Sequence, residues 1–130
     1  MRMGHYALLA ALNGFCSVAV GAFATHGIDD LAAKALIETG ARYQFMHTMA
    51  SFASLTMFRW GATRARFAIP FFLTGIVLFS GSLFALAAGA PRWAGMITPI
   101  GGLGFLAGWS ILALAATQLM SDDYRMGAKS

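Results

Sequence analysis

The chain has little charge, and it keeps that charge away from its long apolar stretches. Only 11% of its 130 residues are charged, against about 25% in soluble domains. No Asp, Glu, Lys or Arg occurs between Tyr6 and Thr25, Tyr43 and Phe58, Phe67 and Pro91, or Trp93 and Met120. Without a carboxylate inside an apolar span there is nothing to couple proton entry to export. That argues against a small multidrug transporter, despite the similar size. Cysteine is almost absent too. Cys16 stands alone, so a quinone-linked thiol oxidoreductase, which needs a cysteine pair, is excluded. No Ser-His-Asp set, P-loop or zinc-protease motif is present. The glycine-rich "GGLGFLAG" (101–108) is no phosphate loop, because no strand precedes it.

What is present is apolar length. Hydrophobic residues make up 58% of the chain. The four charge-free windows each approach the ~20 residues a helix needs to cross a bilayer. The fold expected is an all-α integral membrane protein: an antiparallel four-helix transmembrane bundle with spans near 6–26, 42–60, 66–89 and 97–120. Residues 1–130 form one transmembrane domain. The outer loop "GIDDLAAKALIETGAR" (27–42) reads as a short amphipathic helix, capped by Asp29 or Asp30 and ended by Gly40. Glu38 and Arg42, four apart, are spaced for a weak ion pair.

The net charge of +4 is not a nucleic-acid footprint, because it is divided among short connections. Arg59, Arg64 and Arg66 share one connection, and Arg2, Arg125 and Lys129 lie at the termini. Only Lys34, Arg42 and Arg92 lie on the opposite side. With four spans, this bias puts both termini in the cytoplasm. The opening "MRMGHYALLAALNGFCSVAVGAFA" resembles a signal peptide. Its apolar stretch is too long for an ordinary signal core and Asn13 interrupts it, so retention is the expectation.

Small residues mark where helices should touch. In lipid, close backbone approach replaces the hydrophobic effect as a driving force for association. Asn13, Ser17, Gly21 and Ala24, with Gly14, line one face of the first helix. "FSGSL" (79–83) puts Gly81 in the third. In "TPIGGLGFLAGW" (98–109), Gly101, Gly104 and Gly108 make a small-residue surface behind Thr98 and Pro99, with Thr98 placed to cap the helix. That surface should pack on Ser80-Gly81-Ser82 of helix 3 or on the Gly14/Ser17/Gly21 face of helix 1. Trp109 lies deeper than an interfacial position and needs a partner for its indole N–H.

Polar residues within spans are costly and are site candidates by default. His47 leads them: it is either a ligand or proton site, or one half of a helix–helix hydrogen bond to Asn13, Ser82 or a backbone carbonyl. If helices 1 and 2 are neighbours, His26 and His47 share an outer-half pocket with Arg42, Tyr43, Gln44, Ser82 and Thr98. His26 beside Asp29 and Asp30 has metal-ligand chemistry. A cap-and-loop histidine is the commoner case, so no metal site is assigned. A histidine pair holding haem is disfavoured because no porphyrin groove flanks it.

Four stretches together carry a family pattern: "GAFATHG" (21–27), "ARYQFMHT" (41–48), "LFSGSLFAL" (78–86) and "ITPIGGLGFLAGW" (97–109). In order and spacing they resemble the small membrane family labelled domain of unknown function 423, to which eukaryotic transmembrane protein 256 is similar. The resemblance covers about residues 5 to 118. Two positions depart: Ala24-Thr25-His26 stands where the family usually reads Gly-Ala-His, and Phe84 where it tends to have Tyr. The resemblance implies a bacterial inner-membrane protein without a settled activity. It singles out His26, Arg42, Tyr43, His47, Ser80, Gly81, Ser82, Thr98, Pro99, Gly101, Gly102 and Trp109.

Three readings of function stay open from sequence. The first is a non-enzymatic module that binds a lipid, quinone or protein partner through the outer polar pocket. The second is an accessory subunit of a larger respiratory or envelope complex. The third is a redox or metal-binding protein using His26 and His47. The bilayer is the one partner expected in every case; a homo-oligomer or larger membrane complex is open, and no cofactor is named.

Overall fold

In a computed structural model of the protein, residues 2–127 are described, without the side chains of 122 and 123; Lys129 lies outside them. The described residues form four long helices: α1 (Met3–Gly27), α2 (Leu31–Arg59), α3 (Ala68–Ala87) and α4 (Thr98–Gly127). Short 3-10 turns at Thr63–Phe67 and Arg92–Met96 precede α3 and α4. The protein is an all-α membrane protein. α1, α4 and the stretch Thr63–Ala87 that holds α3 are each long and apolar enough to cross a bilayer.

The amphipathic outer helix is there, but it is not a separate element. It forms the first turns of α2, which runs unbroken for 29 residues. Asp30 caps it by accepting a hydrogen bond from the Ala33 N–H at 2.9 Å. Gly40 does not end it. A Cβ at Gly40 would stand 2.5 Å from the Phe84 ring, so this glycine serves helix contact rather than chain reversal. The true stop is Gly61, at φ +108°, where a side chain would be strained. Its N–H bonds the Phe58 carbonyl and that of Ala62 bonds the Met57 carbonyl, the paired bonds of a Schellman cap. Gly89, at φ +94°, ends α3 by the same pattern, with Leu86 and Ala85 accepting.

Consecutive helices are antiparallel neighbours, and α2 and α3 are the inner pair. α1 lies on α2 with Gly14 against Thr48 and Gly21 against Ala41. The glycine face of helix 1 therefore meets α2, and the glycines of helix 4 meet α3. A Cβ at Gly101 would run into the Phe79 backbone nitrogen; one at Gly108 would stand 2.5 Å from the Phe72 ring, and one at Gly104 3.4 Å from Gly75. Gly75 completes this seam against Phe105. Gly81, expected in the packing face, meets nothing within 4 Å. Successive helical residues turn by about 100°. Ser80 therefore turns to α2, where its hydroxyl donates to the Gly40 carbonyl at 2.7 Å, and Ser82 turns to α4. Gly81 between them faces outward.

The interior is small and alanine-rich. Ala50, Ala62, Ala65, Ala68, Phe72, Ile76, Phe105, Leu112 and Ala115 make one buried cluster. Large apolar side chains such as Phe15, Val18, Val77 and Leu103 are exposed instead. That is the arrangement expected where the surroundings are lipid tails. On the arginine-rich connection, the Arg64 N–H donates to Gln118 Oε1 at 3.0 Å, and Gln118 Nε2 reaches Thr63 Oγ1 at 3.4 Å, tying this segment to α4.

The α3–α4 seam yields a first test. Gly101→Ala should destabilise the protein by about 1–3 kcal/mol, since its methyl group meets backbone and nothing flexible can give way. Gly81→Ala should leave stability the same or raise it by up to about 1 kcal/mol, since its methyl group meets open space. Thermal unfolding in detergent compares the two.

Candidate functional site

The polar residues of the bundle collect on α2. Gln44, His47, Thr48, Ser51 and Ser54 are all buried. Their spacing of three and four places them along one side of the helix. Most are satisfied close by. Ser51 donates to the His47 carbonyl at 2.9 Å and Ser54 to the Ala50 carbonyl at 2.8 Å. Gln44 reaches out of its own helix: its Nε2 donates to Asn13 Oδ1 on α1 at 3.1 Å, while Asn13 Nδ2 donates back to the Leu9 carbonyl. Among the described residues two buried side-chain oxygens stay without a partner, Gln44 Oε1 and Thr48 Oγ1, one turn apart on the same helix.

His47 takes the backbone-carbonyl option among its expected partners. Its Nδ1 lies 2.8 Å from the Tyr43 carbonyl oxygen. A carbonyl only accepts, so Nδ1 carries the proton, and in the neutral ring Nε2 keeps its lone pair. The ring is clamped by aromatic neighbours. Phe105 stacks on it with centroids 3.5 Å apart and planes 6° from parallel; Phe72 is tilted at 5.8 Å and Trp109 edge-on at 6.3 Å. Tyr43 stacks one turn away and packs on Phe79 at 4.5 Å. His47 is 5% exposed but lines a groove of about 520 Å³ between α2 and α4, with Tyr43, Phe79, Gly102, Phe105 and Trp109 around it. Among the described residues no protein group bonds Nε2, the Tyr43 hydroxyl or the Trp109 indole N–H. Neither Nε2 nor the Tyr43 hydroxyl is a buried orphan, and Trp109 is half exposed, so the protein partner expected for its indole is not found.

The outer pocket expected from sequence is divided among separate places. Tyr43 and His47 belong to the α2–α4 groove. Arg42, the residue before Tyr43, lines a different groove of about 570 Å³ between α1 and α2, with Glu38 and Thr25. Glu38 and Arg42 form no ion pair among the described residues. Ser82 and Thr98 face each other, hydroxyl to hydroxyl at 2.6 Å, and close the α3–α4 end. Thr98 thus spends its hydroxyl across the seam rather than on a cap. His26 is exposed at the end of α1. With Gly14 level with Thr48 and Gly21 level with Ala41, His26 stands about 11 residues, or roughly 16 Å, along the axis from His47. The two imidazoles do not share a site. Among the described residues no group of three or more His, Cys, Asp or Glu is placed to hold a metal ion.

Sequence reasoning missed Phe72, Phe79 and Phe105 as site walls. In an apolar span a phenylalanine is the default residue, and nothing in its spacing announces a ring stack.

These features define a membrane protein of clustered helices with a buried polar strip and one histidine open to a groove. Residues 20–102 match the family described as protein of unknown function (DUF423). A UPF0382 membrane protein of Haemophilus influenzae is 50% identical over 111 residues, covering 83% of this chain and 90% of the relative. The UPF0382 inner membrane protein YgdD of Escherichia coli K12 is 37% identical over 116 residues, covering 86% and 88%. A UPF0382 membrane protein of Staphylococcus epidermidis is 36% identical, covering 87% and 95%. The chain belongs to the DUF423 family. No solved structure matches it.

The Asn13–Gln44 bond gives the second test. A double-mutant cycle with Asn13→Ala and Gln44→Ala should return a coupling of about 0.6 kcal/mol, the mean for hydrogen bonds between membrane helices. It is read from unfolding in detergent micelles.

Proposed function

We propose that the protein is a non-enzymatic module of the bacterial inner membrane. Its ligand is a quinone-type molecule, bound as the quinol through the α2–α4 groove. The observation that carries this is the state of His47. Its Nδ1 proton is held by the Tyr43 carbonyl, its ring is fixed flat against Phe105, and its Nε2 lone pair remains for a donor from outside the protein. A ring-borne hydroxyl supplies that donor. The Tyr43 hydroxyl and the Trp109 indole N–H line the same groove and can donate to a ring oxygen. Phe79, partly exposed, gives the groove an apolar aromatic wall for the ring itself. A cationic or strongly acidic ligand finds no counter-charge among these residues. An accessory role in a larger respiratory complex is compatible with such a ligand and differs by co-purification of further subunits.

The protein extracted gently from its own membrane should carry a reproducible extra mass in native mass spectrometry, with a quinone absorbance band. His47→Ala should lose that mass and keep its helical content. A bare wild-type chain would overturn the reading.

We further infer that α2 crosses the membrane as a fourth span. It is less apolar than its neighbours because its polar side chains are the buried ones. α1 and α3 pack on α2, and Phe105 of α4 covers the His47 ring, so these side chains are screened from the bilayer. Four crossings place both termini on one side, and the excess of Lys and Arg there makes that side cytoplasmic. Reporter fusions at the two ends should therefore both register as cytoplasmic. Opposite compartments would mean three crossings.

A further inference from the structure

We propose that the groove between α1 and α2 binds the headgroup of a zwitterionic aminophospholipid, with the lipid phosphate on Arg42 and its ammonium on Glu38. This groove is separate from the one that holds His47, and the inference is independent of the quinone reading.

Depth is the first argument. Arg42 follows Ala41, which lies level with Gly21 on α1, and Gly21 is inside the charge-free run from Tyr6 to Thr25. A guanidinium at that level meets lipid rather than bulk water. Leaving it without a counter-charge there is costly. Among the described residues no carboxylate of the protein supplies one. Glu38 is the nearest acidic residue in the helix and lines the same groove.

Order along the axis is the second argument. Both the last turns of α1 and the first turns of α2 lie at one end of the bundle. Glu38 is four residues closer to that end than Arg42, about 6 Å along the helix. The groove therefore presents a cation deeper and an anion nearer the aqueous end. An aminophospholipid has the complementary order, with its phosphate next to the glycerol and its ammonium further out. A phosphate accepts paired N–H bonds from a guanidinium. An ammonium donates to a carboxylate. Lys34, one turn above Glu38, does not compete: its ammonium is directed to the Thr25 carbonyl at 3.4 Å, at the end of α1.

Shape is the third argument. The groove is shallow and open on its outer side, with a volume of about 570 Å³, and it is also lined by Val18 and Phe45, exposed apolar surface on which the start of an acyl chain can lie. Gly21 keeps its floor low. A choline headgroup has the same charges but no N–H to give Glu38. A glycerol headgroup lacks the cation altogether, so only the aminophospholipid satisfies both residues.

The test uses the full chain purified in a non-ionic detergent. Dioleoyl phosphatidylethanolamine, phosphatidylcholine and phosphatidylglycerol are added singly and retention is read by native mass spectrometry. The ethanolamine lipid should be held roughly tenfold more tightly than the other two, the worth of one charge-assisted hydrogen bond. Glu38→Gln, which keeps an acceptor but loses the charge, should weaken that preference, and Glu38→Ala should erase it, with the ethanolamine and choline lipids then held alike. Arg42→Ala should weaken all three by a similar factor, and Arg42→Lys should retain most of the binding. His47→Ala should change none of these ratios, which separates this site from the quinol groove. Equal retention of the three lipids by the wild type, a preference for the glycerol lipid, or selectivity that survives Glu38→Ala overturns the proposal. Since Glu38→Ala removes only a groove-lining side chain that is not buried, the test does not depend on Arg42→Ala folding.

Discussion

A helix that carries Gln44, His47, Thr48, Ser51 and Ser54 along one side must have that side covered. In a bilayer the tails offer no hydrogen bonds, and each bare polar group costs several kcal/mol. With α2 as the proposed fourth span, this requirement accounts for the order of the helices. α2 becomes an inner element, and α1 and α3 lie on either side of it. It also explains why so many hydroxyls bond within one turn of their own helix, as Ser51 and Ser54 do. Such bonds satisfy the group before any neighbour arrives.

The glycines meet the complementary demand of approach. Alanine and glycine at the α3–α4 seam bring backbones close enough for dispersion to act over a long contact, where no hydrophobic effect is available. Gly40 does the same for α2 and α3. Its open surface admits the Phe84 ring, and its carbonyl receives the Ser80 hydroxyl. Losing helix propensity at these positions is offset by contact that no larger residue permits.

The two grooves follow from the same geometry. α2 has neighbours on both sides, so Arg42 and Tyr43, adjacent in sequence, open onto different grooves. One groove offers an aromatic wall and neutral donors and acceptors. The other offers a pair of opposite charges at the end of the bundle. Their chemistries are distinct enough that a single ligand does not suit both.

Apolar length and charge placement were enough to read the class of the protein, because lipid imposes both on any helix that crosses it. The small-residue face of helix 1, the glycines of helix 4 and His47 were legible for the same reason: in lipid, a glycine cluster or a polar side chain stands out against the background. What the sequence could not decide was partnership. It could not separate α3 from α1 as the partner of the helix 4 glycines, since one small surface fits either. It could not foresee that Gly40 lies within a helix, because a glycine that ends a helix and one that admits a ring look alike until φ and the neighbour are known. Nor could it tell that Gly81 faces outward or that His26 lies far from His47. Those answers depend on rotation and register between helices, which are set by the summed fit of side chains from both partners and by no local stretch of either.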